Sequence, residues 1–514
     1  MKKISLAFGM LFAAAVAQAQ ETYSNMTLTN TNDLIGTSRY VGMGGALGAL
    51  GADLSTMGSN PAGTGLYRKW DVSMTAGVNF PRNKQYGMNY ADNTTRGTFD
   101  QLGFVCVIKT PDSSKLRNLN IGLNYQKRAN YNSAFLADNA NLGGMSQMNQ
   151  VADIANTGVG EQSALTGNAW DGYLMMKDAQ GYYNPYGANA NQYAHFTTGG
   201  LLSYDINMSF NINHRAYLGL SVGIDDVNYN RYSEYTELRD GSAAQPYQDY
   251  TIYEDQRVDG SGVNLKLGAI FRPFEESPFR FGIAFETPTW YKLQSSTFVD
   301  VYSKWSGTTD AGVETLHYLP TGYNKHEMPE SYLEWNVRTP SKLRLSLGST
   351  VDQVLAWGVE YEFANMAKMH QSYDNGYYGA TSKTADKAMN QLTKDCLRGQ
   401  HTLKAGFEIK PTSNWAFRMG YNFISTPYKK DAFLNQYIDS YAMDYVTGTQ
   451  YMNLKPTHIG TVGLGYKHKA FYADLAYKYR CQKGDFYAFD DVNLTPTEVD
   501  LSRHAVTATL GFKF

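Results

Sequence analysis

Beyond its first twenty residues the chain returns again and again to an apolar residue at every second position, and that pattern restricts its fold more than any other feature. Trp70, Val72, Met74, Ala76, Val78 and Phe80 share one side of an extended segment, while Asp71, Ser73, Thr75, Gly77 and Asn79 share the other. Successive side chains of a β-strand point to opposite faces, so this is a strand with two unlike faces. The alternation recurs at 102–108, 119–125, 202–210, 216–224, 263–271, 279–285, 343–347, 355–363, 403–409, 415–423, 462–466, 471–477 and 506–514, which makes fourteen segments with 70–80.

Soluble sandwiches and propellers also alternate, so the connections decide between them. Tight polar or Pro-marked turns at 213–215, 273–278, 350–354, 411–414 and 467–470 take turns with long connections, the largest being 132–196 with 65 residues and 301–338 with 38. Short turns at one end, long loops at the other and an even strand number describe an outer-membrane barrel. Closure pairs every backbone amide that lipid would otherwise leave unsatisfied. The expected fold is therefore all-β and transmembrane: a 14-stranded antiparallel barrel over 70–514, with 132–196 as a long extracellular insertion.

Composition agrees once it is read this way. A length of 514 residues would ordinarily suggest several soluble domains, but charged residues make up only 18% and Tyr numbers 40. The net charge of −2 offers no field for nucleic acid. Mean hydropathy is −0.43 and no later stretch has the 18 apolar residues of a membrane helix. Lys266, Arg344, Glu360, Glu362, Lys404, Glu408, Arg418 and Asp474 fall on the polar faces and should point into the lumen. On the lipid face a basic residue would cost about 2–4 kcal/mol at the midplane. Trp70, Trp290, Tyr291, Trp357 and Trp415, at segment ends, suit interfacial girdles.

Residues 1–19 read as a secretory signal: Lys2 and Lys3, an apolar stretch over 4–16, and the small-x-small site Ala17-Gln18-Ala19. Cys106, Cys396 and Cys481 are too few and too far apart for a disulfide framework or a metal site. Between signal and first strand, 20–69 has no long period-two run and is rich in small residues, among them Gly42, Gly44, Gly45, Ala46, Gly48 and Gly51. It is the natural plug for a lumen too wide for side chains to fill. A nucleotide loop is not indicated, because Leu47 stands where G-x-G-x-x-G needs its third glycine and no strand precedes it.

The run Arg39, Gly42-Met43-Gly44-Gly45-Ala46, Ala52-Asp53, Ser59-Asn60-Pro61-Ala62-Gly63 and Leu66 resembles the hatch of the FadL/TodX family of outer-membrane transporters for long-chain fatty acids and aromatic hydrocarbons. The terminal strand, apolar at Val506, Ala508, Leu510, Phe512 and Phe514, is similar to the signal by which such barrels engage the assembly machinery. The resemblance implies a hatch at 20–69 whose corner is Asn60, Pro61 and Ala62, hydrophobic ligands bound in the lumen against it, and release through hatch movement. The family's lateral exit lies at a kinked third strand; here that strand has no Pro and only Gly122, so no kink is written in it.

The long insertion places Met145, Met148, Trp170, Met175 and Met176 among apolar neighbours. Met adapts to varied ligands, so the loop reads either as a capture groove or as a lid folded on itself. Catalytic patterns are missing: His326-Glu327 is followed by Met328-Pro329-Glu330 rather than completing HExxH, and no G-x-S-x-G elbow occurs. No catalytic residue, cofactor or metal site is expected. The expected function is outer-membrane transport of hydrophobic compounds, with hydrophobic small molecules and membrane lipid as partners. Alternatives are a barrel of this type serving protein secretion or cargo attachment, and a haemin or nutrient receptor in which His317 and His326 would be ligands.

Overall fold

The computed structural model describes residues 20–85, 88–90, 95–111, 113–158, 163–172, 174–185, 187–239, 247–309, 312–318, 331–352, 354–375, 382–433 and 438–514. The expected signal at 1–19 lies outside the described residues. One sheet of 21 strand segments closes on itself and resolves into 14 staves. They are β1 (Asp71–Gln85), β2 (Arg96–Lys109), β3 (Leu116–Asn130), β4 (Ala190–Ile212), β5 (Ala216–Leu238), β6 (Tyr247–Phe271), β7 (Arg280–Glu286 and Trp290–Thr309) and β8 (Ser331–Arg338 and Lys342–Val351). The rest are β9 (Leu355–Asn365 and His370–Asn375), β10 (Gly399–Ile409), β11 (Trp415–Ile424), β12 (Tyr451–His468), β13 (Phe471–Tyr487) and β14 (Thr497–Lys513). Every stave pairs antiparallel with its neighbours, and β1 pairs with β14 from Asp71↔Lys513 to Gln85↔Val499, which closes the seam. Trp70 and Phe514 tie its lower end through reciprocal backbone hydrogen bonds of 3.0 and 3.1 Å.

All fourteen alternating segments lie on these staves, and their apolar positions form the outer wall: Met74, Leu123, Ile206, Leu267, Phe417, Met419 and Leu510 are among the exposed side chains. The charged residues assigned to the lumen are buried, Lys404 only partly, each beside an opposite charge. Lys266 meets Asp205 at 2.5 Å, Arg344 meets Glu362 at 2.6 Å and Lys404 meets Glu360 at 2.8 Å. Among the described residues no helix is long and apolar enough to cross a membrane. The tight turns mark one end of the barrel, as at 213–215, where the φ values of 52° and 56° at Asn213 and His214 suit the central positions of a primed turn.

Three expectations change. Tyr291 is not in a girdle: it points inward, buried, and its hydroxyl donates to Asp225 at 2.8 Å. The long connections are shorter than the apolar pattern suggested, because polar strands continue beyond the membrane to Thr309 on β7 and from Ala190 on β4. Backbone pairing carries these extensions where no lipid demands an apolar face. The wall is interrupted on β7, β8 and β9, at Thr287-Pro288-Thr289, Thr339-Pro340-Ser341 and Met366–Lys368. Neither proline has an N–H to give the ladder. The β7–β8 seam is held there by Thr339 donating to the Thr289 carbonyl at 3.0 Å and Thr289 N–H to Thr339 Oγ1 at 2.9 Å. The third stave shows register shifts between Leu116 and Asn118 and between Lys127 and Ala129.

Residues 20–69 fill the lumen with two helices, α1 (Gln20–Leu28) and α2 (Ser38–Gly42), and two 3-10 turns, Leu54–Gly58 and Pro61–Leu66. Outside the barrel the connection after β3 folds into α3 (Gln147–Thr157) and α4 (Ala164–Asp171), and α5 (Lys387–Cys396) precedes β10.

Candidate functional site

The hatch is a chain of caps. Thr37 Oγ1 accepts from Tyr40 N–H at the start of α2 and donates to Asp53 at 2.8 Å. Asp53 in turn accepts from Ser55 N–H at 3.0 Å and starts the first 3-10 turn. Asn60 does the same for the second: its Oδ1 accepts from Ala62 N–H at 3.2 Å, and its Nδ2 donates to the Gly48 carbonyl at 2.8 Å. Pro61 at the first helical position needs no N–H partner. The structure therefore brings Asn60, Pro61 and Ala62 into one buried corner, braced on β4 by Thr64, which reaches Asn207 at 2.6 Å and Ser209 at 2.7 Å.

Gly42, Gly44 and Gly45 form the opposite shoulder. Gly42 accepts from Thr461 of β12 at 3.2 Å. Gly44 has φ +59°, a left-handed conformation that glycine takes without strain, and its backbone lies directly against Gly420 of β11, where a Cβ would collide with it. At this shoulder Arg39 ties the hatch to the wall by charge. Arg39 reaches Glu408 of β10 at 3.3 Å, Asp53 at 3.9 Å and the Ala52 carbonyl at 2.9 Å. Glu408 continues to Arg418 at 2.6 Å, and Arg418 to Asp474 at 2.5 Å.

Above the hatch lies a cavity of about 370 Å³ between α1 and the wall. Its sides are aromatic and thioether: Tyr23 stacks on Tyr428 with centroids 5.1 Å apart and tilts against Tyr451 at 5.4 Å, beside Met26, Tyr131 and Trp335. Its floor is charged. Asp33 meets Arg480 at 2.7 Å and Arg503 at 3.4 Å, while Lys478 donates to the Leu34 carbonyl at 2.8 Å. Burial pushes the Asp33 carboxyl up, but Arg480, Arg503 and Lys478 outweigh it and hold the group at about 2. A second cavity, of about 670 Å³, opens below the hatch at the short-turn end, lined by Arg39, Asp53, Glu408 and Lys513. Chamber, hatch and lower vestibule thus lie in series.

The insertion covers the top. Met148 and Met175 are fully buried in a cluster with Phe135, Leu142, Val151, Val446 and Phe489, and Met145 packs on its edge. Trp170 is half exposed, edge-on to Tyr183 with Lys177 beside both rings. The side chain of Met176 and all of His326 lie outside the described residues, and of His317 only the backbone pairing with Lys304 is described. Among the described residues no group of three or more His, Cys, Asp or Glu could hold a metal ion.

Sequence reading missed the chamber. Tyr23, Met26 and Tyr428 lie outside the alternating segments, so periodicity gave no orientation for them. Arg480 and Arg503 could have been found, since the inward parity of Asp474 on β13 and of Thr507 on β14 continues up to them.

The class these features define is an outer-membrane β-barrel closed by an internal hatch. No family model and no curated protein matches the chain. Solved structures do match it. A Pseudomonas aeruginosa FadL homologue aligns over 97% of this chain and 100% of its own, with TM-score 0.53 and 12% identity. The Ralstonia pickettii toluene transporter TbuX and the Pseudomonas putida toluene transporter TodX each align over 94% of this chain and 99% of their own, both with TM-score 0.48, at 14% and 12% identity. In fold, the chain is a FadL-type barrel.

Proposed function

We propose that this barrel carries hydrophobic compounds, long-chain fatty acids or molecules like them, across the outer membrane by binding them in the upper chamber and releasing them through rearrangement of the hatch. The observation that carries this reading is the aromatic chamber on the outer side of a buried hatch, in series with a vestibule below. An apolar chain can lie against Tyr23, Met26, Trp335 and Tyr428, where its transfer from water is favourable at roughly 0.8 kcal/mol per buried methylene. An acidic head would sit towards Arg480 and Arg503, which outnumber Asp33. The FadL homologue of the same fold supports the reading. The hatch corner at Asn60, Pro61 and Ala62 and the shoulder at Gly42, Gly44 and Gly45 are the parts that must shift. Met145, Met148, Trp170, Met175 and Met176 serve as the cover of the chamber, and the terminal strand ending at Phe514 as the assembly signal.

The test is ligand occupancy together with conductance. Mass spectrometry of the barrel purified in a mild detergent should show a recurrent fatty acid or hydrocarbon, and deletion of 20–68 should turn a closed barrel into one that leaks small ions. A stoichiometric protein partner with no lipid-like ligand, or unchanged conductance after the deletion, would refute the reading.

A further inference from the structure

The outer wall carries one arrangement three times. On β9 and β10, Phe363 lies opposite His401 in register, and Tyr361, two residues lower, places its hydroxyl 2.7 Å from His401 Nδ1. On β11 and β12, Phe423 faces His458 and the Tyr421 hydroxyl lies 2.7 Å from its Nδ1. On β13 and β14, Tyr479 faces His504 and the Tyr477 hydroxyl lies 2.7 Å from its Nδ1. Each imidazole also packs on the aromatic ring opposite, with centroids 5.1, 5.4 and 4.8 Å apart.

These pairs sit at one level. On β11 the outward residues from Trp415 to Phe423 span eight steps, ~26 Å along the strand and ~20 Å along the normal for a tilt near 40°. That is close to the full height of the lipid band, roughly 25 Å. The tyrosine and histidine rings therefore mark the outer-leaflet interface.

Over β9–β12 a row of exposed cations stands directly above them. Lys368 ends the interruption of β9, Arg398 precedes β10, and Lys429 and Lys430 follow β11. Backbone hydrogen bonds lock them side by side: Met366 to the Arg398 carbonyl at 3.2 Å, Arg398 to Pro427 at 2.8 Å and Lys429 to Cys396 at 2.8 Å. Lys394 joins them, its carbonyl accepting from Lys429 Nζ at 2.7 Å. Asp395 and Asp431 are the exposed carboxylates among them, which leaves an excess of positive charge. The comparable rim over β5 and β6 is acidic, with Asp226, Asp255 and Asp259 beside Arg257.

We propose that the rim over β9–β12 is a binding site for a bisphosphorylated glycolipid of the outer leaflet. Its acyl chains would lie on the wall at Leu403, Phe407, Phe417 and Met419, its sugars on the ring faces of Phe363, Phe423 and the two imidazoles, and its phosphates on two separate cation groups. Lys368 with Arg398 forms one group and Lys429 with Lys430 the other. Phosphate on a cation at an interface is a strong, charge-assisted contact, and sugar on an aromatic face suits an amphipathic belt. A glycerophospholipid has one phosphate and no sugar, and would use half of this site.

The experiment uses the full barrel in detergent, with binding read by native mass spectrometry for a hexa-acyl bisphosphorylated disaccharide lipid, its dephosphorylated form and phosphatidylglycerol. The intact protein should bind the bisphosphorylated lipid at least tenfold more tightly than either of the others. The triple variant K368A/R398A/K429A should lose about tenfold in affinity for that lipid, and H401F/H458F about threefold, with both variants keeping the heat-modifiable gel mobility of a folded barrel. Equal binding of phosphatidylglycerol or of the dephosphorylated lipid by the intact protein would overturn the proposal without recourse to any variant. Full retention of affinity by the folded triple variant would overturn it as well.

Discussion

Arg39 is the position at which the hatch can be loosened without removing it. Its guanidinium joins the wall carboxylate Glu408 at 3.3 Å to the hatch carbonyl of Ala52 at 2.9 Å, and Glu408 is buried. Removing one member of a buried ion pair costs about 3–5 kcal/mol where the other charge is left alone. Glu408 is not left alone, since Arg418 stays at 2.6 Å and Lys410 at 3.2 Å. What Arg39→Ala forfeits is the charge-assisted bond between wall and hatch, of order 2 kcal/mol. If that bond is lost on opening, the closed hatch is destabilised by the same amount and its open population rises roughly thirtyfold. Single-barrel recordings in planar bilayers read this directly as the frequency of conductance steps. The variant should gate far more often than the parent while migrating as a folded barrel, and Glu408→Gln should show the same sign with a smaller effect. An R39A barrel that is folded and as silent as the parent would show that Arg39 does not latch the hatch.

Other perturbations test the neighbouring inferences. Gly420→Val places side-chain atoms where the Gly44 backbone lies, and overpacking of this kind costs about 1–3 kcal/mol; the hatch should be displaced and the resting conductance raised. Breaking the Tyr23–Tyr428 stack with Tyr23→Ala removes about 0.5–1.5 kcal/mol beyond the area lost, so displacement of a fluorescent fatty acid should report three- to tenfold weaker binding. Burial, with Asp491 nearby, pushes the Asp490 carboxyl up to about 6 in the loop that meets α3, where its N–H donates to Gln150 at 2.9 Å. A raised carboxyl favours the folded loop at pH values below the unfolded value near 3.8, and that contribution is lost as pH rises through 6. Proteolytic nicking of 147–157 should therefore be faster at pH 7.5 than at pH 5, and Asp490→Asn should remove the difference.

The wall was legible because the solvent enforces a period. Lipid on one side and a polar lumen on the other require alternation at every level of the membrane, so the fourteen segments, their direction and the inward face of Lys266, Arg344 and Glu408 could be read one residue at a time. The hatch was legible through its small-residue composition and its resemblance rather than through periodicity, since its caps at Thr37, Asp53 and Asn60 are short and its glycines have no period. Tyr291 was misplaced because the break at Thr287-Pro288-Thr289 reverses the parity of β7, so that the outward side passes from Phe285 to Trp290. Alternation predicts orientation only along an unbroken strand.

By itself, then, the sequence determined a membrane barrel, for which local periodicity and turn spacing are sufficient, and marked 20–69 as its plug by composition and resemblance. Only the tertiary structure decided what the lumen holds. The chamber joins Tyr23 to Tyr428 and Tyr451, the charged floor joins Asp33 to Arg480 and Arg503, and the rim joins Lys368 to Arg398 and Lys429. Tyr23 and Asp33 lie on the hatch and their partners on the wall, while the rim cations flank the adjacent staves β9, β10 and β11, and no spacing along the chain records how a plug is seated inside its barrel.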